Sequence, residues 1–200
     1  MATTKIGIII STTREGRFGD RPTQWLLDLT TTRGGAVFEV VDLRDYPLPF
    51  FNEPASPAYV PPENAVARSF GSKIAEFDGY IFITAEYNHG IPAVLKNALD
   101  HVYSQFTRKP IAFIGYGGVG AARAVEQLRL VAVELQAAPL RNAVHIGLAE
   151  FIGLLQQGKA FSDYSYLEQS ANLMLDDLIW WTNALKKARE EDLVGSLEDA

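Results

Sequence analysis

The chain predicts a doubly wound α/β fold built on a five-stranded parallel sheet with helices on both faces. Three observations carry that expectation. Short apolar runs without alternation, beginning with Ile6-Gly7-Ile8-Ile9-Ile10, suit strands covered on both sides. Between them lie stretches whose apolar residues recur at spacings of three and four, the stripe of a surface helix. The two kinds of segment alternate five times, which calls for right-handed crossovers between parallel strands. At 200 residues the chain is the size of one domain, expected over 1–190 and followed by an acidic, frayed tail over 191–200 (Glu191, Asp192, Glu198, Asp199).

In order, Ile6 to Ile10 reads as a central strand, and Trp25, Leu26 and Leu29 mark a helix from about Arg21 to the Gly34-Gly35 stop. Val37 to Val41 is the second strand, with Asp42 and Asp45 as strand-end caps. A Pro-rich segment from Asp45 to Pro62 follows; its Tyr46, Leu48, Phe50, Phe51 and Tyr59 must be buried at a pocket rim, in a subunit interface or on the domain itself. Val66, Phe70, Ile74 and Phe77 predict a helix over 65–77, and Tyr80 to Ile83 a third strand. Val94, Leu95, Ala98, Leu99, Val102 and Tyr103 predict a helix to about Gln105, and Ile111 to Ile114 a fourth strand. A helix over 122–135, a strand over 144–148 and an irregular loop over 153–166 come next. Leu167, Ala171, Met174, Leu178, Trp181 and Leu185 then mark a final helix.

Composition narrows the function. A formal net charge of −6, with no basic cluster longer than Lys186-Lys187, disfavours nucleic acid. The absence of cysteine excludes disulfides, thiolate nucleophiles and cysteine-ligated metals, so redox chemistry has to come from a cofactor; it also fits a cytoplasmic protein. The start, Met1 to Ile10, is too short in apolar residues for a signal region or a membrane span, so a soluble, unprocessed protein is expected. His89, His101 and His145 have no carboxylate spacing of a metal site, and only His89 falls where a ligand would be.

Three loops fall at the carboxyl ends of the first, third and fourth strands, on the edge where open α/β sheets bind ligands. Ser11-Thr12-Thr13-Arg14-Glu15-Gly16-Arg17-Phe18-Gly19 combines hydroxyls and two arginines at a helix start, where amides and the helix dipole favour a phosphate. It lacks the Gly-Lys-Ser/Thr ending of a triphosphate P-loop. Thr84-Ala85-Glu86-Tyr87-Asn88-His89-Gly90-Ile91-Pro92 is richer in polar and aromatic groups than a connector needs. Gly115-Tyr116-Gly117-Gly118-Val119-Gly120 formally matches G-x-G-x-x-G, but it follows the wrong strand and has no acidic residue about 20 positions on. These glycines are better suited to letting the backbone approach a flat ligand beside Tyr116. A phosphate at one end and a planar group at the other describe a mononucleotide.

At these motifs the sequence resembles the NADPH-dependent FMN reductases of the flavodoxin-like superfamily. The likeness runs from about Lys5 to His145, and rests on Ser11-Thr12-Thr13-Arg14 with Gly16-Arg17, on Glu86-Tyr87-Asn88-His89 with Ile91-Pro92 and Leu95-Lys96-Asn97, and on Gly115-Tyr116-Gly117-Gly118. It departs from the common pattern at Ser11, where many members have glycine, and at Ala85, where proline usually precedes the glutamate. The resemblance implies strand order 2-1-3-4-5 and FMN with its phosphate at Ser11, Thr12, Arg14, Arg17, Phe18 and Gly19. Its ring would lie against Glu86 to His89 and Gly115 to Gly118. It further implies NADPH or NADH as co-substrate, two-electron transfer in ping-pong order to an acceptor such as a quinone, azo compound or free flavin, and a homodimer or homotetramer. No side chain is expected to act as an acid–base catalyst. Tyr103, Phe106, Trp180 and Trp181 are candidates for subunit contacts. The alternatives are a flavodoxin-type electron carrier without NAD(P)H turnover and a nicotinamide-only Rossmann dehydrogenase.

Overall fold

The computed structural model describes residues 3–198, with side chains described to residue 192. Five strands, β1 (Lys5–Ile10), β2 (Val37–Asp42), β3 (Gly79–Ala85), β4 (Pro110–Tyr116) and β5 (Ala138–Ile146), form one parallel sheet in the order β2-β1-β3-β4-β5. This is the flavodoxin-like order that the sequence led us to expect.

The lack of alternation in the strands has a direct structural cause. In β3, Ile81, Ile83 and Ala85 point into one buried layer while Tyr80 and Phe82 point into the other, and β4 divides Ala112, Ile114 and Tyr116 from Ile111 and Phe113 in the same way. The first layer is closed by α1 (Asp20–Thr30), α5 (Leu148–Gln156) and α6 (Ser165–Glu198), through Leu26, Leu154, Leu167, Met174 and Leu178. The second is closed by α2 (Ala65–Ala75), α3 (Ala93–Asp100) and α4 (Ala122–Glu134), through Phe70, Ile74, Leu95, Leu99, Val125 and Leu128. Covered on both sides, each central strand is free to be apolar throughout.

Four expectations need correction. Helix α3 stops at Asp100 rather than near Gln105; the Gln105 side chain accepts the Tyr103 amide at 3.0 Å, and Val102 and Phe106 are buried from turns. Strand β5 starts six residues earlier than expected and ends at Ile146, because an edge strand tolerates the polar residues and Pro139 that hid it. The segment over 153–166, expected as an irregular loop, begins inside α5 and contains a short 3-10 turn, Phe161–Asp163. Phe106 is fully buried and offers nothing to a partner. The tail expectation over 191–200 lies mostly outside the described side chains; helix α6 runs to Glu198, and Glu191 and Asp192 are exposed.

Candidate active site

The loops after β1, β3 and β4 enclose a cleft of about 320 Å³, lined by Arg14, Gly16, Arg17, Phe18, Ala85, Glu86, Tyr87, Tyr116, Gly117, Phe151 and Leu155. Its volume is at the lower end of the range for ligand pockets. The three loops differ in how they use their polar groups.

In the β1 loop most side-chain donors are turned inward. Ser11 donates its amide and its hydroxyl to the carbonyl of Ile83, at 3.1 and 2.7 Å. The Thr12 hydroxyl pairs with that of Tyr116 at 3.1 Å. Arg17 donates through Nε and Nη2 to Asp20 at 2.8 and 2.6 Å, through Nη1 and Nη2 to Asp42 at 2.7 and 2.5 Å, and through Nη1 to the carbonyl of Thr12 at 2.5 Å. A guanidinium has five N–H donors, and all five are occupied. Burial opposes the Arg17 charge, but these hydrogen bonds and the charges of Asp42 and Asp20 raise its pKa above the ordinary arginine value. Arg14 is different: it is exposed, and its guanidinium carbon stands 5.9 Å from the Tyr87 ring centroid. The amides of Thr13, Arg14, Glu15, Gly16 and Phe18 donate to nothing among the described residues. One arginine without an ion-pair partner and a run of unbonded amides thus gather just ahead of α1, the kind of place where helix N-termini favour anions.

The β3 loop is a tight turn. Tyr87 and Gly90 exchange amide hydrogen bonds at 3.2 and 3.1 Å, and Asn88 and His89 between them have φ of 49° and 73°. Two consecutive left-handed residues define a type I′ turn, which Asn tolerates well and His less so. Gln127 of α4 holds it from outside, donating to the His89 carbonyl at 3.2 Å. Glu86 does not face solvent. Its carboxylate accepts the backbone amides of Arg123 and Ala124, at 3.1 and 3.4 Å, and Nε of Arg123 at 2.6 Å. Burial pushes the Glu86 pKa up, but the Arg123 side chain and those amides outweigh it, so the group stays below its ordinary value.

That contact decides the glycine motif. In a dinucleotide fold the pyrophosphate sits at the N-terminus of the helix after the glycine loop. Here the equivalent place, the start of α4, is filled by the Glu86 carboxylate. A Cβ on Gly115 would stand 2.5 Å from the Gly120 carbonyl oxygen, so Gly115 serves the turn's own packing. Gly117 and Gly118 instead border open space, and Gly117 has φ of 135°. A flat ligand can approach the backbone there. Tyr116 packs against Phe18 and Phe151, with ring centroids 5.1 and 6.4 Å away, and burial raises its hydroxyl to a pKa of about 12.

Of the residues expected to bind FMN, the cleft therefore gathers Arg14, Arg17, Phe18, Glu86, Tyr87, Tyr116 and Gly117. Ser11 and Thr12 lie buried beneath it; Gly19, Asn88, His89, Gly115 and Gly118 are not in its wall. Sequence reasoning missed Phe151 and Leu155 on α5. The spacing of Leu148, Phe151, Ile152 and Leu155 would have marked that helix. Among the described residues no cluster of ligating side chains could hold a metal, and no helix is long and apolar enough to cross a membrane.

Fold and cleft together define a flavodoxin-like α/β protein with a cleft at the β1/β3 switch point of its sheet. Residues 4–150 match the model of the NADPH-dependent FMN reductase family, and the chain belongs to that family. It is thus an oxidoreductase of a family that works with FMN and a nicotinamide co-substrate. An NAD(P)H-dependent FMN reductase of Schizosaccharomyces pombe is 32% identical over 189 residues, covering 84% of this chain and 92% of the relative. A 2-hydroxy-1,4-benzoquinone reductase of a Burkholderia species is 34% identical over 138 residues, covering 66% of this chain and 71% of that one. Among solved structures, the NAD(P)H:(acceptor) oxidoreductase FerB of Paracoccus denitrificans superposes with a TM-score of 0.69 at 20% identity. The match covers 91% of this chain and 98% of FerB.

Proposed function

We propose that the protein is an FMN-dependent NAD(P)H oxidoreductase that passes two electrons to a small acceptor of the quinone class. The observation that carries this reading is the division of labour in the cleft: a free arginine and free amides at one end, and open backbone at Gly117 beside aromatic side chains at the other. The residues present fit FMN. Arg14 and the amides of residues 13–16 would hold its phosphate, and Tyr87 and Gly117 would flank its ring. Bound FMN supplies the site's hydride and electron chemistry. The chain's own part is to orient the cofactor and exclude water, the latter through Phe18, Tyr116, Phe151 and Leu155. No side chain in the cleft is assigned an acid–base role.

With one cleft serving donor and acceptor in turn, the order is ping-pong. A quinone acceptor is supported by the benzoquinone-reducing relative. Exposed Trp180 and Trp181, with ring centroids 5.6 Å apart, support assembly into a homodimer or homotetramer, which light scattering would read directly. The test of function is fluorescence titration with FMN followed by steady-state oxidation of NADPH and NADH with a quinone. We expect FMN binding and parallel double-reciprocal lines. Absence of FMN binding overturns the reading, and FMN binding without NAD(P)H consumption makes the protein an electron carrier instead.

A further inference from the structure

Arg14 and Arg17 stand three residues apart in one loop, and the structure gives them opposite surroundings. The Arg17 side chain is 1% exposed. It ties three separate elements: the loop itself through the Thr12 carbonyl, the first turn of α1 through Asp20, and the end of β2 through Asp42. Asp42 is held in turn by Arg44, which donates to it through Nε and Nη2 at 3.0 and 2.8 Å. The outcome is a closed cluster of two arginines and two aspartates, completed by Arg44 and Asp20 at 3.6 Å, that joins the β1 loop to α1 and the end of β2.

We propose that Arg17 is a positioning residue, which, with Asp42 as its anchor, fixes the β1 loop so that its free amides and Arg14 face the cofactor phosphate. This deepens, and rests on, the FMN reading above. Arg17 has no donor left for a phosphate, and a rigid loop loses less entropy when the anion arrives. Arg14 is then the one charged side chain of this loop that contacts the ligand.

The two possible roles of Arg17 predict opposite signs for one substitution. If Arg17 met the phosphate directly, Asp42→Asn would remove a repelling carboxylate and tighten FMN. If Arg17 positions the loop, the same change weakens FMN by about tenfold and leaves riboflavin, which lacks the phosphate, unchanged. Arg17→Lys separates charge from geometry, because an ammonium cannot span two carboxylates and a carbonyl. We expect it to weaken FMN as well. The measurements are FMN and riboflavin titrations of the full chain, with near-UV circular dichroism to verify folding. Hydrogen exchange of the ligand-free protein adds a readout that needs no FMN. The amides of Arg17 and Arg21, bonded to the carbonyls of Arg14 and Phe18, should exchange faster in Asp42→Asn, while the second half of α1 stays unchanged. The proposal is overturned by undiminished FMN affinity in Asp42→Asn or Arg17→Lys, by equal losses for FMN and riboflavin, or by unchanged exchange. A wild type that binds no FMN sinks the functional reading instead, and the exchange result then decides the clamp alone.

Discussion

The two ends of the sheet both carry buried charge and a hollow, yet among the described residues they differ in how many hydrogen-bond donors are left unengaged. At the amino end, Asp78 accepts from Lys186 at 2.9 Å, from Arg189 at 3.1 Å and from the Lys5 amide at 3.1 Å. Lys109 is buried there, donating to the Ala75 carbonyl at 3.3 Å and to the Tyr80 hydroxyl at 3.2 Å. A nearby hollow of about 470 Å³ is larger than the cleft at the carboxyl end. Its cations, however, are engaged: Arg108 pairs with Asp192, and Arg189 with Asp78 and the Arg108 carbonyl. At the carboxyl end Arg14 and a run of amides are left unengaged beside open backbone. Neither volume nor buried charge distinguishes the proposed site; unsatisfied donors converging on one place do.

The largest effect expected from this contrast is on binding. Arg14→Ala removes a charged hydrogen bond to the phosphate and should weaken FMN by about 1.5–3 kcal/mol. Arg14 is exposed and its ring contact with Tyr87 is long, so the melting temperature should hardly move. Arg108→Ala at the amino end should leave FMN affinity untouched. Equal titration curves for wild type and Arg14→Ala would erase the distinction between the two ends.

Next comes a change that separates two glycines, one at the end of β4 and one in the turn after it, on either side of Gly117 in the cleft wall. Gly115→Ala drives a Cβ to 2.5 Å from the Gly120 carbonyl oxygen and 2.9 Å from the Ala121 Cβ. Neither neighbour is a flexible side-chain end, so the cost should be about 1–3 kcal/mol of stability. Gly118→Ala meets open space and should cost the fold little while obstructing the ligand. Urea melts paired with FMN titration would show the two effects on different axes. The same loss of stability in both variants would mean that the turn, and not the ligand, requires both glycines.

How far the sequence revealed this site depends on which forces act locally. The three loops were legible because buried strands declare themselves by unbroken apolar runs, as in Ile6 to Ile10, and a loop's place follows from its strand. Helix α5 was hidden by Gly147, Gly153 and Gly158 around and within it, although its apolar spacing was present. The partners of Arg17 and Glu86 were not legible at all. Asp42 lies 25 residues from Arg17, and Arg123 lies 37 from Glu86, distances closed only by the sheet order. Residue type therefore suggested two phosphate arginines, and tertiary pairing assigned them different roles.

The smallest effect is also the one that sets the two ends apart by sign. Burial pushes Asp42 up, but hydrogen bonds from Arg17 and Arg44 and the Arg17 charge outweigh it, lowering its pKa from 3.8 to about 2. Its stabilisation is complete above its unfolded value and is lost as pH falls through 2. At the other end, burial and the Arg189 charge lower Lys109 from 10.5 to about 8, with Asp78 opposing. Between those values the unfolded chain binds the Lys109 proton more tightly than the native one, so stability rises as pH climbs from 8 towards 10.5. Urea melts should therefore lose on the order of 2 kcal/mol from pH 4 to 2 through Asp42, and gain on the order of 1 kcal/mol from pH 7.5 to 9 through Lys109. Asp42→Asn should flatten the acid limb alone and Lys109→Met the alkaline limb alone. If Lys109→Met left the alkaline rise intact, the amino-end lysine would be solvated rather than sealed, and the contrast in burial between the two ends would fail.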